Sequence, residues 1–272
     1  MAANSKIEWT THTFNPWWGC LKVSPACKHC YAEAWSRRTG QRVWGANAPR
    51  RFFGDKHWAQ PLKWNKEALY AGLRPRVFCA SMADVFEDRP DLDVWRERLW
   101  TLIADTQALD WLLLTKRPEL VTAKVPWVDQ WPRNVWLGTT VENKHWAERR
   151  LPEIARVPAR VRFISAEPLL GPVNLRPWSA TIHWVIAGGE SGPKARPSSP
   201  SWFRGLQDQC VAANIPFHFK QWGDWKPVLG RYSGTSRSAR TADGTTMVRV
   251  GRKIAGRQLD GVTWDGLPQT VD

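Results

Sequence analysis

Residues 110–118 read DWLLLTKRP: an acid, four apolar side chains in a row, then Thr115, Lys116, Arg117 and a proline. A strand with one wet face alternates apolar and polar positions. An unbroken apolar run closed by a basic turn instead suits a strand covered on both sides, as in a parallel sheet. The same form recurs along the chain, in RVFCASM (76–82), NVWLGTTV (134–141), VRFISAE (161–167), IHWVIAGG (182–189) and PFHFKQW (216–222). A further member, HTFNPWW (12–18), precedes them. Helical stretches lie between. KHCYAEAWSRRTG (28–40) ends on two arginines and a C-cap glycine, and DLDVWRERLWTLIADT (91–106) opens on acids and carries an apolar stripe. HWAERRLPEIARV (145–157) is interrupted by Pro152, which predicts a kink or two shorter pieces. SPSWFRGLQDQCVAAN (199–214) begins with a Ser-Pro start signal.

Strand alternating with helix this often predicts an α/β fold: a full or partial (β/α) TIM-like barrel of about six to seven parallel strands. Periodicity alone leaves an open doubly wound sheet as the alternative. The barrel is expected over residues 1–224, with an insertion near 40–75. A small basic appendage is expected over 225–272: from 226 to 257 there are eight basic residues, Arg231 among them, against Asp243 alone. Within it, 232–247 (YSGTSRSARTADGTTM) predicts a mobile loop and the following residues a small β element.

The chain carries 39 Lys and Arg against 25 Asp and Glu, a net charge of +14, which favours a polyanionic partner such as a nucleic acid or nucleotide. Twenty tryptophans exceed what a core of 272 residues ordinarily uses, so some are candidates for base stacking, Trp222 and Trp225 among them. No apolar run reaches the ~18 residues of a membrane span, and the N-terminus lacks a signal-peptide core. The expectation is a cytoplasmic protein without a membrane partner, its thiols reduced.

In parallel α/β folds ligands gather at the carboxyl ends of the strands. Those ends here carry Ser81 and Asp84; Lys116 and Arg117; Thr139, Glu142 and Asn143; Glu167; Glu190 after Gly188-Gly189; and Lys220 with Gln221. Any one of them reads as a loop residue or helix cap. A ring of them predicts one mouth, and the Gly-Gly pair predicts close approach of backbone to a ligand.

The loop leaving the first strand reads GCLKVSPACKHCYAEAW (19–35) and places Cys20, Cys27 and Cys30 in a C-x6-C-x2-C spacing. In a reducing compartment such a cluster reads as metal-binding. Two groups fit three thiolates. A [4Fe–4S] cluster held by three cysteines leaves one iron open for a small molecule. Structural zinc would need a fourth ligand, His12 or His29, to close a Cys3His site. His29 lies inside the C-x2-C knuckle, so His12 reads as the better of the two. Cys79 and Cys210 read as small buried hydrophobes.

These residues, with the loop at the head of a barrel, resemble the radical S-adenosylmethionine superfamily. The resemblance implies that Cys20, Cys27 and Cys30 hold a [4Fe–4S] cluster whose open iron chelates S-adenosyl-L-methionine. Reduction by an external electron donor then cleaves the sulfonium to a 5′-deoxyadenosyl radical. NPWWGCLKVSPACKHCYA, with LLTKRP, WLGTTVEN, FISAEPLLGP, WVIAGGESG, FKQWG and GRQLDGVTWDGLP, is also similar to a phage- and prophage-associated three-cysteine family of unknown function. The first spacing departs from the superfamily's usual three residues, and SMAD stands where a Gly-Gly-Glu grips the methionine amine. Ser81 or Asp84 is the substitute there.

The resemblance makes Tyr31, Ser81, Asp84, Thr139, Glu142 and Glu167 the candidate cofactor contacts. It makes Lys116, Arg117, Asn143, Glu190, Lys220 and Gln221 the candidate substrate-binding or catalytic residues. The acids among them read equally well as partners of the same Lys and Arg in a structural network. The leading expectation is a radical enzyme that modifies or repairs a nucleic acid or nucleotide. The competing one is a zinc-stabilised nucleic-acid-binding protein without chemistry. A third is a cluster-bearing sensor or subunit that needs a protein partner.

Overall fold

The computed structural model describes residues 3–127, 130–228, 230 and 232–269; Arg231 of the expected basic tail lies outside them. The fold is α/β, with a seven-stranded sheet whose strands follow one another in chain order. They are β1 (His12–Thr13), β2 (Arg76–Cys79), β3 (Asp110–Thr115), β4 (Val135–Thr140), β5 (Arg162–Ala166), β6 (Trp184–Gly188) and β7 (Phe217–Gln221). β1–β2, β2–β3, β3–β4, β5–β6 and β6–β7 pair in parallel. This is the partial (β/α) barrel of the expectation. The contacts divide the chain into two compact units.

The first unit comprises Met1–Ser24, Ala32–Thr139 and Glu153–Arg162. Its centre is β3, where Trp111, Leu112 and Leu113 are all fully buried, as the unbroken apolar run predicts. Each such leucine contributes roughly 1.5–3 kcal/mol by leaving water. The longer helices are α1 (Tyr31–Arg38), α2 (Gln60–Ala71) and α3 (Asp93–Ala104). One expectation needs correction here. The run 12–18 is not one strand: pairing with β2 stops at Thr13, and Trp17–Trp18 pairs antiparallel with Arg51–Phe52. Asn15-Pro16 makes the break, since Pro16 has no N–H to give a ladder. The insertion near 40–75 contains regular structure, the twelve-residue α2, which has proline at its start and ends on Gly72 at φ 63°.

The second unit comprises Pro25–Tyr31, Thr140–Pro152 and Phe163–Asp272. Here α4 (Lys144–Ala155) is one helix with Pro152 inside it, and α5 (Pro200–Ala212) covers β7 through Phe203 on Phe219. The appendage is a three-stranded antiparallel sheet of β8 (Trp225–Val228), β9 (Ser238–Arg240) and β10 (Thr246–Arg249), with β10 in the middle. The segment expected as a mobile loop therefore holds a paired strand, β9. Asp243 at the β9–β10 turn accepts from Thr241 Oγ1 (2.7 Å) and the Thr245 N–H (3.0 Å). It also accepts from the Ser199 hydroxyl and the Ser201 N–H, at the N-terminus of α5. A hairpin, β11 (Gln258–Leu259) with β12 (Val262–Thr263), follows. The chain then returns along the outer edge of β7. Phe219 N–H donates to Trp264 O (3.0 Å), Gly266 N–H donates to Phe217 O (3.0 Å), and Trp184 Nε1 donates to Gly266 O (2.7 Å). The last strand's edge is thus covered by the protein's own tail.

Candidate cysteine-loop site

Cys20 belongs to the first unit, and its backbone is held from both sides. Gly19 N–H donates to Met82 O (3.0 Å), and Gly45 N–H donates to Cys20 O (3.1 Å). Gly19 sits at φ +120°, where a Cβ would lie 2.3 Å from Val43 O and 2.6 Å from Arg50 Cδ. Only glycine fits there. Arg50 is buried and donates through Nη2 and Nε to Glu87 Oε1 (2.6 Å) and Oε2 (3.1 Å), and through Nη1 to Val43 O (3.0 Å) and Ala48 O (2.8 Å). The stretch 43–50 is therefore a wall that fixes the first cysteine.

The strand ends supply the rest. Arg117 Nη1 lies 3.8 Å from Cys20 Sγ and donates to Asp84 Oδ2 (2.9 Å), while Nη2 donates to Leu21 O (2.7 Å). Asp84 also accepts from Thr115 Oγ1 (2.8 Å) and the Lys116 N–H (3.0 Å), so it ties the end of β2 to that of β3. Thr139 Oγ1 donates to Thr115 O (3.0 Å). Buried Asn15 donates to Ser81 Oγ (3.1 Å) and accepts from the Met82 N–H (2.7 Å). Burial and then Asp84 push the Cys20 thiol up to about 12, against the pull of Arg117. A metal bound there would have to displace that proton, as thiolate ligation requires.

Cys27 and Cys30 belong to the second unit. Pro25–Cys27 form a single 3-10 turn, and Cys30 directly precedes α1. Two carboxylates hold this half of the loop. Glu142, fully buried, accepts the Ala26 N–H (3.2 Å) on Oε1 and Arg150 Nη1 (2.9 Å) on Oε2, with Arg150 4.1 Å from the Trp146 ring centre. Glu190, 4% exposed, accepts the Arg196 N–H and Nε, both at 2.8 Å on Oε2, and meets His29 Nδ1 at 3.2 Å. Burial would raise the Glu190 carboxyl, but Arg196 and His29 outweigh it and hold it below the usual value. Arg196 Nη2 also donates to Pro25 O (3.1 Å).

Facing a carboxylate, His29 donates from Nδ1 and keeps Nε2, the orientation of a carboxylate-steered ligand. His12 is stacked on Trp64 (4.3 Å between centres, 9°), and its Nδ1 accepts the Asn4 N–H (3.3 Å). His12 belongs to the first unit with Cys20, and His29 to the second with Cys27 and Cys30. Among the described residues no group of three or more His, Cys, Asp or Glu is gathered around a metal position, and none of the five cysteines is in a disulfide. Cys79 and Cys210 are fully buried, as expected, and burial raises both thiols.

The remaining candidates divide. Lys220 Nζ pairs with Glu167 Oε2 at 2.7 Å, both side chains partly accessible. Gln221 Nε2 donates to Gly189 O (3.0 Å). Asn143 is a helix cap: its Oδ1 accepts the Trp146 N–H (3.2 Å) ahead of α4. Tyr31 opens α1 and is 61% exposed. The Gly-Gly pair makes its close approach to backbone and not to an open space, because a Cβ on Gly189 would lie 2.0 Å from Trp222 O. Trp222 and Trp225 are buried and donate to Gln258 O and Ala195 O, both at 2.8 Å. They hold the appendage in place and offer no face to a base. The residues missed by sequence, Asn15, Arg50, Glu87, Arg150 and Arg196, share no motif; Asn15 and the Arg50–Glu87 pair meet partners distant in the chain, whereas Arg150 and Arg196 meet acids eight and six residues away.

A cysteine-bearing loop after the first strand of a parallel α/β sheet thus defines the class. The chain belongs to the family described as "Protein of unknown function (DUF5131)", which it matches over residues 4–268. None of the curated proteins matches it by sequence. Among solved structures, a spore photoproduct lyase variant is 12% identical with a TM-score of 0.47, over 90% of this chain and 70% of that one. The complex of spore photoproduct lyase with dinucleoside spore photoproduct is 13% identical, also with a TM-score of 0.47 and the same coverage.

Proposed function

We propose that the protein is a radical S-adenosylmethionine-type enzyme acting on a nucleic acid or nucleotide. Cys20, Cys27 and Cys30 would hold a [4Fe–4S] cluster. The observation that carries the reading is the C-x6-C-x2-C spacing of Cys20, Cys27 and Cys30 on the loop that follows β1. Three thiolates without a fourth suit a group that leaves one position open. When bound, such a cluster supplies reductive cleavage of S-adenosyl-L-methionine to a hydrogen-abstracting radical.

The chain's own residues do the positioning. Arg117 and Asp84 hold the Cys20 limb through Leu21 O, and Glu142 and Glu190 hold the limb that carries Cys27 and Cys30. Ser81, Thr139 and Tyr31 are the proposed cofactor contacts. The partly accessible Glu167–Lys220 pair offers an acceptor for hydroxyls or an amine and a cation for phosphate. Arg117 and Lys116 supply further positive charge. An external electron donor, a cytoplasmic setting and a phage-associated role in modification or repair complete the reading.

A second reading rests on His29. With Nδ1 given to Glu190, its Nε2 could complete a Cys3His zinc site in a nucleic-acid-binding protein without catalysis. Anaerobic purification with iron, sulfide and zinc assays, and EPR of the reduced protein with and without S-adenosyl-L-methionine, separates the two. About four iron and four sulfide per chain, with a signal altered by S-adenosyl-L-methionine, is the expected result. One tight zinc and no iron after reconstitution overturns the enzyme reading.

A further inference from the structure

Every acid of the C-terminal segment from 224 to 265 is engaged in a specific structural contact. Asp224 Oδ2 pairs with Arg249 Nη2 (3.2 Å) and accepts the Gly192 N–H (3.2 Å). Asp260 pairs with Arg204 (2.7 Å), and Asp265 with Arg257. Asp243 is held by the hydroxyls and amides at the start of α5 and in its own turn, and these hold its carboxyl far below the usual range against the upward push of burial. Lys226, Arg237, Arg240, Arg252 and Lys253 are all exposed on this one small element. None has a carboxylate partner among the described residues. The appendage therefore presents five cations without a carboxylate partner on one small element, whereas Arg37, Lys63, Lys144 and Arg156 each face an acid.

The element is also tied to the cysteine loop within the second unit. Asp224 N–H donates to Glu190 O (3.0 Å), Arg249 Nη2 donates to Gly192 O (2.8 Å), and Trp225 Nε1 donates to Ala195 O (2.8 Å). Glu190 in turn holds His29 between Cys27 and Cys30.

We infer that the β8–β10–β9 sheet and the following Arg252–Ala255 turn are the surface that grips the phosphate backbone of a nucleic acid. The inference deepens the proposed function by locating its substrate-binding surface. A membrane surface is the poorer occupant: apart from Ile254 the patch carries no exposed large apolar side chain among the described residues, and its one helix has four residues. Backbone binding of this kind releases counterions and loses affinity steeply with salt.

The test is binding of a labelled 30-nucleotide single-stranded DNA by fluorescence anisotropy across a salt series. It compares the natural chain with the variant Lys226→Gln/Arg237→Gln/Arg252→Gln/Lys253→Gln. The variant is expected to bind about tenfold or more weakly at low salt, with the slope of log affinity against log salt reduced by about 3. The control Arg37→Gln/Lys63→Gln/Lys144→Gln/Arg156→Gln removes equal charge and should keep both values. Loss of equal size in the control, unchanged binding in the first variant, or equal retention of both proteins on anionic phosphatidylserine vesicles would overturn the inference. DNA binding is measured on the natural chain both before and after anaerobic reconstitution, so a failed cluster assay and a failed binding assay are separate results.

Discussion

Asp84 shows how much one side chain can carry. It accepts from Arg117, from Thr115 Oγ1 and from the Lys116 amide, and through Arg117 it fixes Leu21 beside Cys20. Both Asp84 and Arg117 are 7% exposed, so removing one charge strands the other. Asp84→Asn is expected to cost about 3–5 kcal/mol, read as a shift of the urea midpoint at constant m-value. Gly189 is a second sensitive position, for a steric reason. Its missing Cβ is the space taken by Trp222 O, and both atoms belong to paired backbone. Gly189→Ala should destabilise by roughly 1–3 kcal/mol in thermal or chemical unfolding. A variant as stable as the natural chain would mean that β7 moves aside. Both residues were visible in the sequence as strand-end features, but their partners were not.

At the scale of elements, the tail is as much a part of the sheet as it is an appendage. Residues 264–266 complete the edge of β7, so a chain ending at Thr263 should expose that edge and the Trp184 indole N–H. Size-exclusion chromatography of that truncation is expected to show concentration-dependent self-association, absent from the longer chain. The β9–β10 turn makes a pH-dependent anchor on α5. Asp243's folded carboxyl lies below its unfolded value, so its contribution is full above the unfolded pKa of about 3.9 and disappears as the pH falls toward the folded one. Asp243→Asn should therefore be less stable than the natural chain at pH 7, with the difference shrinking by pH 3 in urea unfolding. An equal difference at both pH values would exclude the carboxylate as its source. The sequence showed this stretch only as polar and Gly-rich; pairing with β10 is what makes it a strand.

At the scale of the whole molecule, net charge and thiol chemistry divide the labour. The +14 excess is a property of composition, but its effect on a partner depends on which cations lack acids, and five of those lie together on the appendage. The cysteine loop makes a matching demand. Cys30→Ser is expected to abolish iron retention after anaerobic reconstitution while leaving the far-UV circular dichroism of the metal-free protein unchanged. Loss of fold in the metal-free variant would instead make Cys30 a packing residue.

Seven apolar runs, their spacing and the three cysteines determined the sheet and marked the loop, because burial on both faces and thiol clustering are local signals. Position within a window of a few residues carries them. Which polar side chains hold that loop, and which remain for a ligand, was decided only by the tertiary structure. Arg50 meets Glu87 across 37 residues, the Ala26 amide meets Glu142 across 116, and His29 meets Glu190 across 161. A buried charge is stable only beside its partner, and partners so far apart are chosen by strand register and loop path. No local pattern encodes that choice.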